Sequence, residues 1–570
     1  MPAPQLPAIP PHRFYYLHNF QQALDWLGQR YGDLLSEEEA GFLAQFAQLP
    51  QPSQALLVRM VMRKGPWFRA GKLVYEEIGD SVQAAAPLLE VGWISRDAPM
   101  ALPELFALHT KPELLQILKA AGLSSSLKKA EMLAALTEQS DQTNLLQPYA
   151  QWHPEASEPV WRVMVGDLCE RLRLMFFGNL YQDWSEFVLA DLGIFRYEAV
   201  ALDAASRAFQ SRADVDFYLA ISASRQALEE GADVAQLLQS LINNESATPW
   251  LDQRRAKVLL RLGQSCERAQ NWPLAEQAYT ACRYPGARHR LIRVLEQMQC
   301  FDRALVLANH VQAAPESEEE RQRVARMLPR LQRGLGQAST GRRAALAPAV
   351  AALRMDVELP WPAQLMSVEY ALRDAWQQAD APVFYVENAL INSLFGLLCW
   401  PAIFAPLPGA FFHPFQSGPA DLSAPDFVAR RQTLFDACLA ELNDGRYRAT
   451  IRQRFVDKAG MQSPFVFWGT LSEELLTLAL DCIPAAHLQL FFARLLRDVK
   501  GHRTGFPDLV RFWLHRSEHQ GRYELVEVKA PGDKLQDNQI RWLSYCTEQG
   551  LPVRVCHVHW LEAEAECPPA

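Results

Sequence analysis

The fold turns on GFPDLVRFWLHRSEHQGRYELVEVKAPGDKLQDNQIRWLSYCTEQGLPVRVCHVHW, residues 505–560. Within it, DLVRFWLH (Asp508–His515) and YELVEVK (Tyr523–Lys529) are rich in β-branched and aromatic residues, and a polar stretch containing Gly521 separates them. The pair reads as a β-hairpin. KLQDNQIRWLSYCTEQG is amphipathic and ends on a glycine, a helix with its stop signal. LPVRVCHVHW alternates as a further strand. Strand, turn, strand, helix, strand predicts an α/β core with its polar groups at the strand ends.

Period-two geometry places Glu527 and Lys529 on one face and Val528 on the other. Closure of the hairpin brings Asp508 beside Glu527. Two carboxylates and an ammonium then converge, which suits a hard cation. Mg²⁺ or Mn²⁺ takes oxygen ligands and usually keeps several waters. Asp508 and Glu527 supply two oxygens, the Val528 carbonyl a third, and Lys529 stands close enough to orient an attacking water. P-D and E-x-K also occur as ordinary surface decoration. The apolar VEV segment favours the site, because a carboxylate inside such a strand needs a partner or a metal. Gln539 follows ten residues after Lys529, on the helix.

Working outward, residues 361–500 read as helical, with SVEYALRDAWQQ and ENALINSLFGLLCWPAIF the clearest segments. Residues 250–345 hold a weak repeat with a period of 29, which superposes Ala304 on Ala275 as in tetratricopeptide-like helix pairs. INNESAT (242–248) is a polar break. Residues 13–150 carry helical periodicity, seen in Phe20, Leu24, Leu27 and Tyr31. Ser36 followed by three acids reads as an N-cap. HTKPELLQILKAAGLSSSLKKAEMLAALTEQ reads as helix, loop, helix, with Pro112 in a first turn and Gly122 as a stop. The expected divisions are a tail at 1–12, a helical domain at 13–100, a helical hairpin at 101–145 and a helical linker domain at 146–250. A repeat domain follows at 251–360, then a catalytic domain at 361–563 whose α/β core spans 490–563. The fold class is thus multidomain and mainly α, with a C-terminal α/β core.

The order PD…ExK, in the form GFPDLV…LVEVKAPGDKLQDNQIRWL…VRVCHV, resembles the VRR-type nuclease domain of the PD-(D/E)xK superfamily. YYLHNF, RKGPWFRAGKLVYEEI, the SAP-like hairpin, the TPR-like helices and ENALINSLFGLLCWPAIF stand in the order found in the Fanconi-associated nuclease family. The chain therefore resembles that family over residues 14–563, and it looks like a bacterial member. The resemblance implies a metal-dependent, structure-selective DNA nuclease with 5′-flap endonuclease and 5′-to-3′ exonuclease activity, leaving 5′-phosphates and acting in interstrand crosslink repair. It implies Asp508, Glu527, the Val528 carbonyl and Glu387 as ligands of one or two Mg²⁺ or Mn²⁺ ions, with Lys529 as the catalytic lysine. By the same resemblance Arg290, with Arg288 and His289 beside it, matches a basic pocket for a 5′-terminal phosphate. The family's LLFWD-type segment reads LLCWPAIF here, with Pro401 replacing an acid.

The 570 residues carry 56 Lys+Arg against 65 Asp+Glu, a net charge of −9. A nucleic-acid partner usually brings a basic surplus. Residues 254–343 hold 17 Lys and Arg against eight acids, a local +9, so the remainder carries −18. Sixteen of those 17 are arginine, the side chain best shaped for phosphate. No run reaches the roughly 18 apolar residues of a membrane span, and no CxxC motif occurs among the ten cysteines. The expected partner is branched DNA with a 5′ flap, without membrane or nucleotide cofactor, together with other repair proteins. The expected location is cytoplasmic, nucleoid-associated in a bacterium or nuclear in a eukaryote. A four-way-junction resolvase and a non-catalytic DNA-binding scaffold are the competing readings.

Overall fold

The computed structural model describes residues 13–119, 124–139, 146–187, 194–202, 206–337, 348–351, 353–362 and 364–561. The tail at 1–12 and the Gly122 stop lie outside them. The chain forms two compact units.

The first unit takes residues up to Arg196, with Leu202–Val215 and Phe412–Phe415. Its first helix, Tyr15–Tyr31, buries the face formed by Phe20, Leu24, Leu27 and Tyr31. Ser36 accepts from the Glu39 backbone N–H at 3.2 Å, and the Glu39 carboxylate accepts from the Ser36 N–H at 2.9 Å. This capping box opens the helix Glu37–Phe46. Arg171 and Arg212, at 2.7 and 2.6 Å, neutralise the buried Glu39.

Three short strands interrupt the helices: β1 Trp67–Arg69, β2 Ile94–Ser95 and, further on, β5 Val160–Val163. They form one antiparallel sheet in the order β1-β5-β2. Between them, β3 Pro99–Ala101 pairs with β4 Leu146–Pro148. These segments were expected to be helical. Runs of two to four residues are too short to display an alternation, so the surrounding helical pattern masks them. The sheet also crosses residue 146, where a boundary was drawn, because β5 pairs with strands of the 13–100 segment. The hairpin helices are Lys111–Ile117 and Lys129–Gln139, with Pro112 in the first turn as expected. They pack through Leu114 and Met132.

In the second unit, the helices Pro249–Arg268, Trp272–Ala281, Ala287–Gln297, Phe301–Ala313 and Glu318–Gly334 stack as successive neighbours. Ala275 and Ala304 are both fully buried. Gln270 and Gln299 precede these helices by the same spacing and both take positive φ, 56° and 60°. The backbone bonds Asn271 N to Cys266 O and Cys300 N to Leu295 O, each 2.9 Å, close the same turn twice. The period-29 repeat is thus a repeat of turn geometry. Its apolar core begins before residue 251, since Ile221, Leu238 and Leu241 pack with Leu259 and Leu262.

The C-terminal sheet has five strands: β6 Arg354–Pro360, β7 Val383–Tyr385, β8 Leu509–Phe512, β9 Tyr523–Lys529 and β10 Val553–Leu561. Their order is β6-β10-β9-β8-β7. β8 and β9 form the expected antiparallel hairpin. The helix Asp537–Glu548 carries the chain over to β10, which lies parallel to β9. Both flanking strands come from outside the 490–563 core, and β6 from before the boundary at 361. β6 alternates exposed and half-buried residues, as an edge strand does, so its apolar signal is weak. One face of the sheet, Val526, Val528, Cys556 and Val558, packs on Leu372 of the helix Val368–Trp376.

Candidate active site

β8 pairs Leu509 with Val526, so one further step sets Asp508 opposite Glu527. Asp508 Oδ2 accepts the Val528 backbone N–H at 2.8 Å. Glu527 has no exposed surface, and Asp508 and Lys529 keep 7% each. Lys529 Nζ lies 2.7 Å from Glu527 Oε1 and donates to Gln539 Oε1 at 3.1 Å. Gln539 sits in the first turn of the helix Asp537–Glu548 and also accepts the Gln536 N–H at 2.8 Å. Asp508, Glu527, Lys529 and Gln539 therefore meet, as the hairpin reading required.

Gly505, ahead of Asp508, has φ +93°, and a Cβ there would stand 2.7 Å from the Asn538 carbonyl carbon. Only glycine lets this chain pass the start of that helix.

Burial, reinforced by the neighbouring Asp508, pushes the Glu527 carboxyl up to about 8, while Lys529 opposes the shift. Burial likewise pushes Asp508 up to about 6 against the Val528 hydrogen bond and Lys529. The Lys529 ammonium reaches Glu527 Oε1 alone, at 2.7 Å, and the buried Oε2 has no donor. This carboxylate beside a second one fits a hard divalent cation in both charge and donor type. Among the described residues, no three acidic, imidazole or thiol groups already form a closed shell.

Glu387 was implied as a helical carboxylate. It lies instead in the turn between β7 and the helix Leu390–Leu398, and it is exposed. That turn is tied to the Asp508 approach. Asn388, at φ 53°, accepts the Gly505 and Phe506 N–H groups at 2.8 and 3.1 Å, and the Val386 N–H reaches Asp508 O at 2.8 Å. The Tyr385 hydroxyl donates to Glu387. The charge of Glu387 contributes to the upward shifts of Asp508 and Glu527. So does that of Glu369 at Asp508, from the first turn of the helix Val368–Trp376. The sequence reading missed Glu369. An acid at a helix start carries no signal beyond the favourable helix dipole.

The presumed phosphate residues lie on the helix Ala287–Gln297. Arg290 donates to Glu267 at 3.0 Å, and the Tyr279 hydroxyl donates to the same carboxylate. His289 Nε2 lies 3.1 Å from Arg323 Nη1. Burial and the Arg323 and Arg290 charges push His289 down to about 4. Arg288 is likewise paired, with the buried Glu320 and with Glu316, at 3.0 and 3.1 Å.

Residues 14–95 match the family described as FAN1, HTH domain, residues 99–152 the Fanconi anemia-associated nuclease SAP domain, and residues 442–560 the VRR-NUC domain. The Fanconi-associated nuclease 1 homolog of Pseudomonas aeruginosa is 51% identical over 554 residues, 97% of each chain. The human Fanconi-associated nuclease 1 is 22% identical over 654 residues, 97% of this chain and 63% of that one. A crystal structure of paFAN1 bound to 2nt 5′-flap DNA with a gap is similar, with a TM-score of 0.92 at 51% identity, over 98% of this chain and all of that one. With half its residues shared along nearly the full length of a relative, and its carboxylate–lysine group inside the matched nuclease domain, the chain belongs to the Fanconi-associated nuclease 1 family.

Proposed function

We propose that the chain is a divalent-cation-dependent, structure-selective DNA nuclease that incises 5′ flaps and digests 5′ to 3′, leaving 5′-phosphates. The observation that carries the reading is the buried Asp508–Glu527–Lys529 group, in which Glu527 Oε2 has no donor. The 5′-flap DNA held by similar structures supports the substrate. The family name supports a role in DNA repair, including interstrand crosslink repair, at the nucleoid of a bacterial cell.

Asp508, Glu527, the Val528 carbonyl and Glu387 would hold Mg²⁺ or Mn²⁺, with Glu369 as a further nearby carboxylate. The bound cation supplies charge stabilisation at the phosphoryl oxygens. Lys529, held between Glu527 and Gln539, orients the attacking water toward phosphorus. Its own positive charge opposes the build-up of negative charge in the in-line displacement. Burial of Glu527 and Asp508 keeps water from screening these interactions. Arg290 and His289, with Arg323, are the group suited to a terminal phosphate at the flap end.

The test is cleavage of a labelled 5′-flap duplex in Mg²⁺ or Mn²⁺. Asp508→Ala and Lys529→Ala should each lose about 100-fold or more in rate, and wild-type activity in either variant would sink the reading. Arg290→Ala should slow cleavage of 5′-phosphorylated flaps more than that of unphosphorylated ones. An equal loss on both would remove the pocket.

A further inference from the structure

A recess of about 430 Å³ has Tyr370, Arg373, Asp374, Gln377, Tyr385 and Thr470 in its lining, with Arg373 paired to Asp374. The Tyr370 and Tyr385 rings lie nearly parallel, with centroids 5.1 Å apart and planes at 25°. The Arg373 guanidinium stands 4.5 Å from the Tyr370 ring centroid. Three flat groups thus build one wall, and Tyr370 remains 39% exposed. Gln377 uses its Oε1 to accept the Val383 N–H at 2.8 Å, which leaves the amide hydrogens as donors. A Cβ built at Gly469 would meet no heavy atom within 4 Å, so that side of the recess is open.

The wall adjoins the chemistry. The Tyr385 hydroxyl donates to Glu387, and its ring lies within the field of Asp508 and Glu369. Glu369 directly precedes Tyr370 on the helix. The wall thus touches one of these carboxylates through the Tyr385–Glu387 hydrogen bond, so a phosphate held at Glu387 would set a neighbouring base toward the wall. Rings and guanidinium planes stack any base without reading its edges.

We propose that this recess takes the unstacked base of the nucleotide adjoining the scissile phosphate in the cleaved strand. This rests on the reading of Asp508, Glu527 and Glu387 as the catalytic group. A base inside a continuous duplex must lose pairing and stacking to enter, whereas a base at a branch has already lost part of both. The recess therefore favours branch points over uninterrupted duplex, whatever the sequence.

The experiment places 2-aminopurine at either nucleotide flanking the mapped incision site of a 5′-flap duplex, with Ca²⁺ replacing Mg²⁺ to hold the complex uncleaved. Binding of the full chain should change the emission at one of the two positions by at least about twofold. Tyr370→Ala should abolish that change and slow single-turnover cleavage at saturating DNA by about tenfold. The DNA affinity and the Mg²⁺ midpoint should stay within about twofold of wild type, and Tyr370→Trp should retain the signal. No emission change at either position, or one that persists in Tyr370→Ala, would overturn the recess. Lys529→Ala separates the two layers. Unimpaired cleavage by that variant sinks the catalytic reading itself. Its inactivity, with no emission change in the wild-type complex, sinks the recess alone.

Discussion

Glu527 concentrates the electrostatic tension of the site, being wholly buried and facing a second carboxylate. Its proton affinity is higher in the folded chain, at about 8, than the ordinary value of 4.5. Asp508 shifts the same way, to about 6 from 3.8. At these two groups the folded state binds more protons than the unfolded one across this window, so their contribution to stability falls as pH rises from about 4 to 8. The buried His289 and His413, pushed down to about 4 and 3, act in the opposite sense below about pH 6.5, so the cation-free protein should lose melting temperature between about pH 6.5 and 8. Glu527→Gln should flatten the profile and gain on the order of 2 kcal/mol at pH 8, as read by calorimetry in EDTA. Added Mg²⁺ should restore wild type but not the variant. A cation-free stability that rises between about pH 6.5 and 8, or a profile left unchanged by Glu527→Gln, would contradict the assignment. At this scale Asp508, Glu527 and Lys529 were legible because strand periodicity aligns Glu527 with Lys529 and hairpin pairing brings Asp508 opposite. Glu387 and Glu369 were not legible from pattern, since tertiary packing delivers them from a turn and a helix start.

Among the elements, the helix Asp537–Glu548 links the repeat to Lys529. Arg326 of the helix Glu318–Gly334 clasps Asp537 through both carboxylate oxygens, at 2.7 and 2.5 Å, and Gln539 two residues on, in the same first turn, holds Lys529. First turns lack internal partners for their N–H groups and fray readily. Gln539→Ala should therefore lower kcat by about five- to tenfold with KM little changed. Arg326→Ala should lower it by up to about fivefold, because the ion pair is partly exposed and is worth up to about 1 kcal/mol. Ala304→Leu probes the repeat: at a fully buried helix contact it should cost about 1–3 kcal/mol in denaturant unfolding. The hairpin, the crossover helix and β10 were readable because each is long enough to show its period. The strands near Trp67 and Ile94, together with β6 and β7, were not. They are short or lie at an edge, and their identity depends on the partner they pair with.

For the molecule as a whole, the acidic total hides an arginine-rich segment, yet many of its described guanidinium groups are already paired with carboxylates. Arg288, Arg290, Arg303, Arg323 and Arg330 pair with Glu320, Glu267, Glu276, Glu319 and Glu296. Phosphates must compete with these carboxylates, so DNA affinity should drop steeply with salt. Arg290→Ala should reduce the slope of log affinity against log salt by about one, measured with 5′-phosphorylated flap DNA. Composition could reveal the charge surplus but not this pairing, which depends on how successive helices face each other. The five-stranded sheet also determines where the chain can be cut. Because β6 and β7 are drawn from upstream of Asp508 and cover both flanks, a fragment starting at residue 490 would expose the bare hydrogen-bonding edges of β8 and β10. Such edges recruit other strands, so the isolated catalytic core should aggregate on expression. A fragment starting before Arg354 retains its own edge protection.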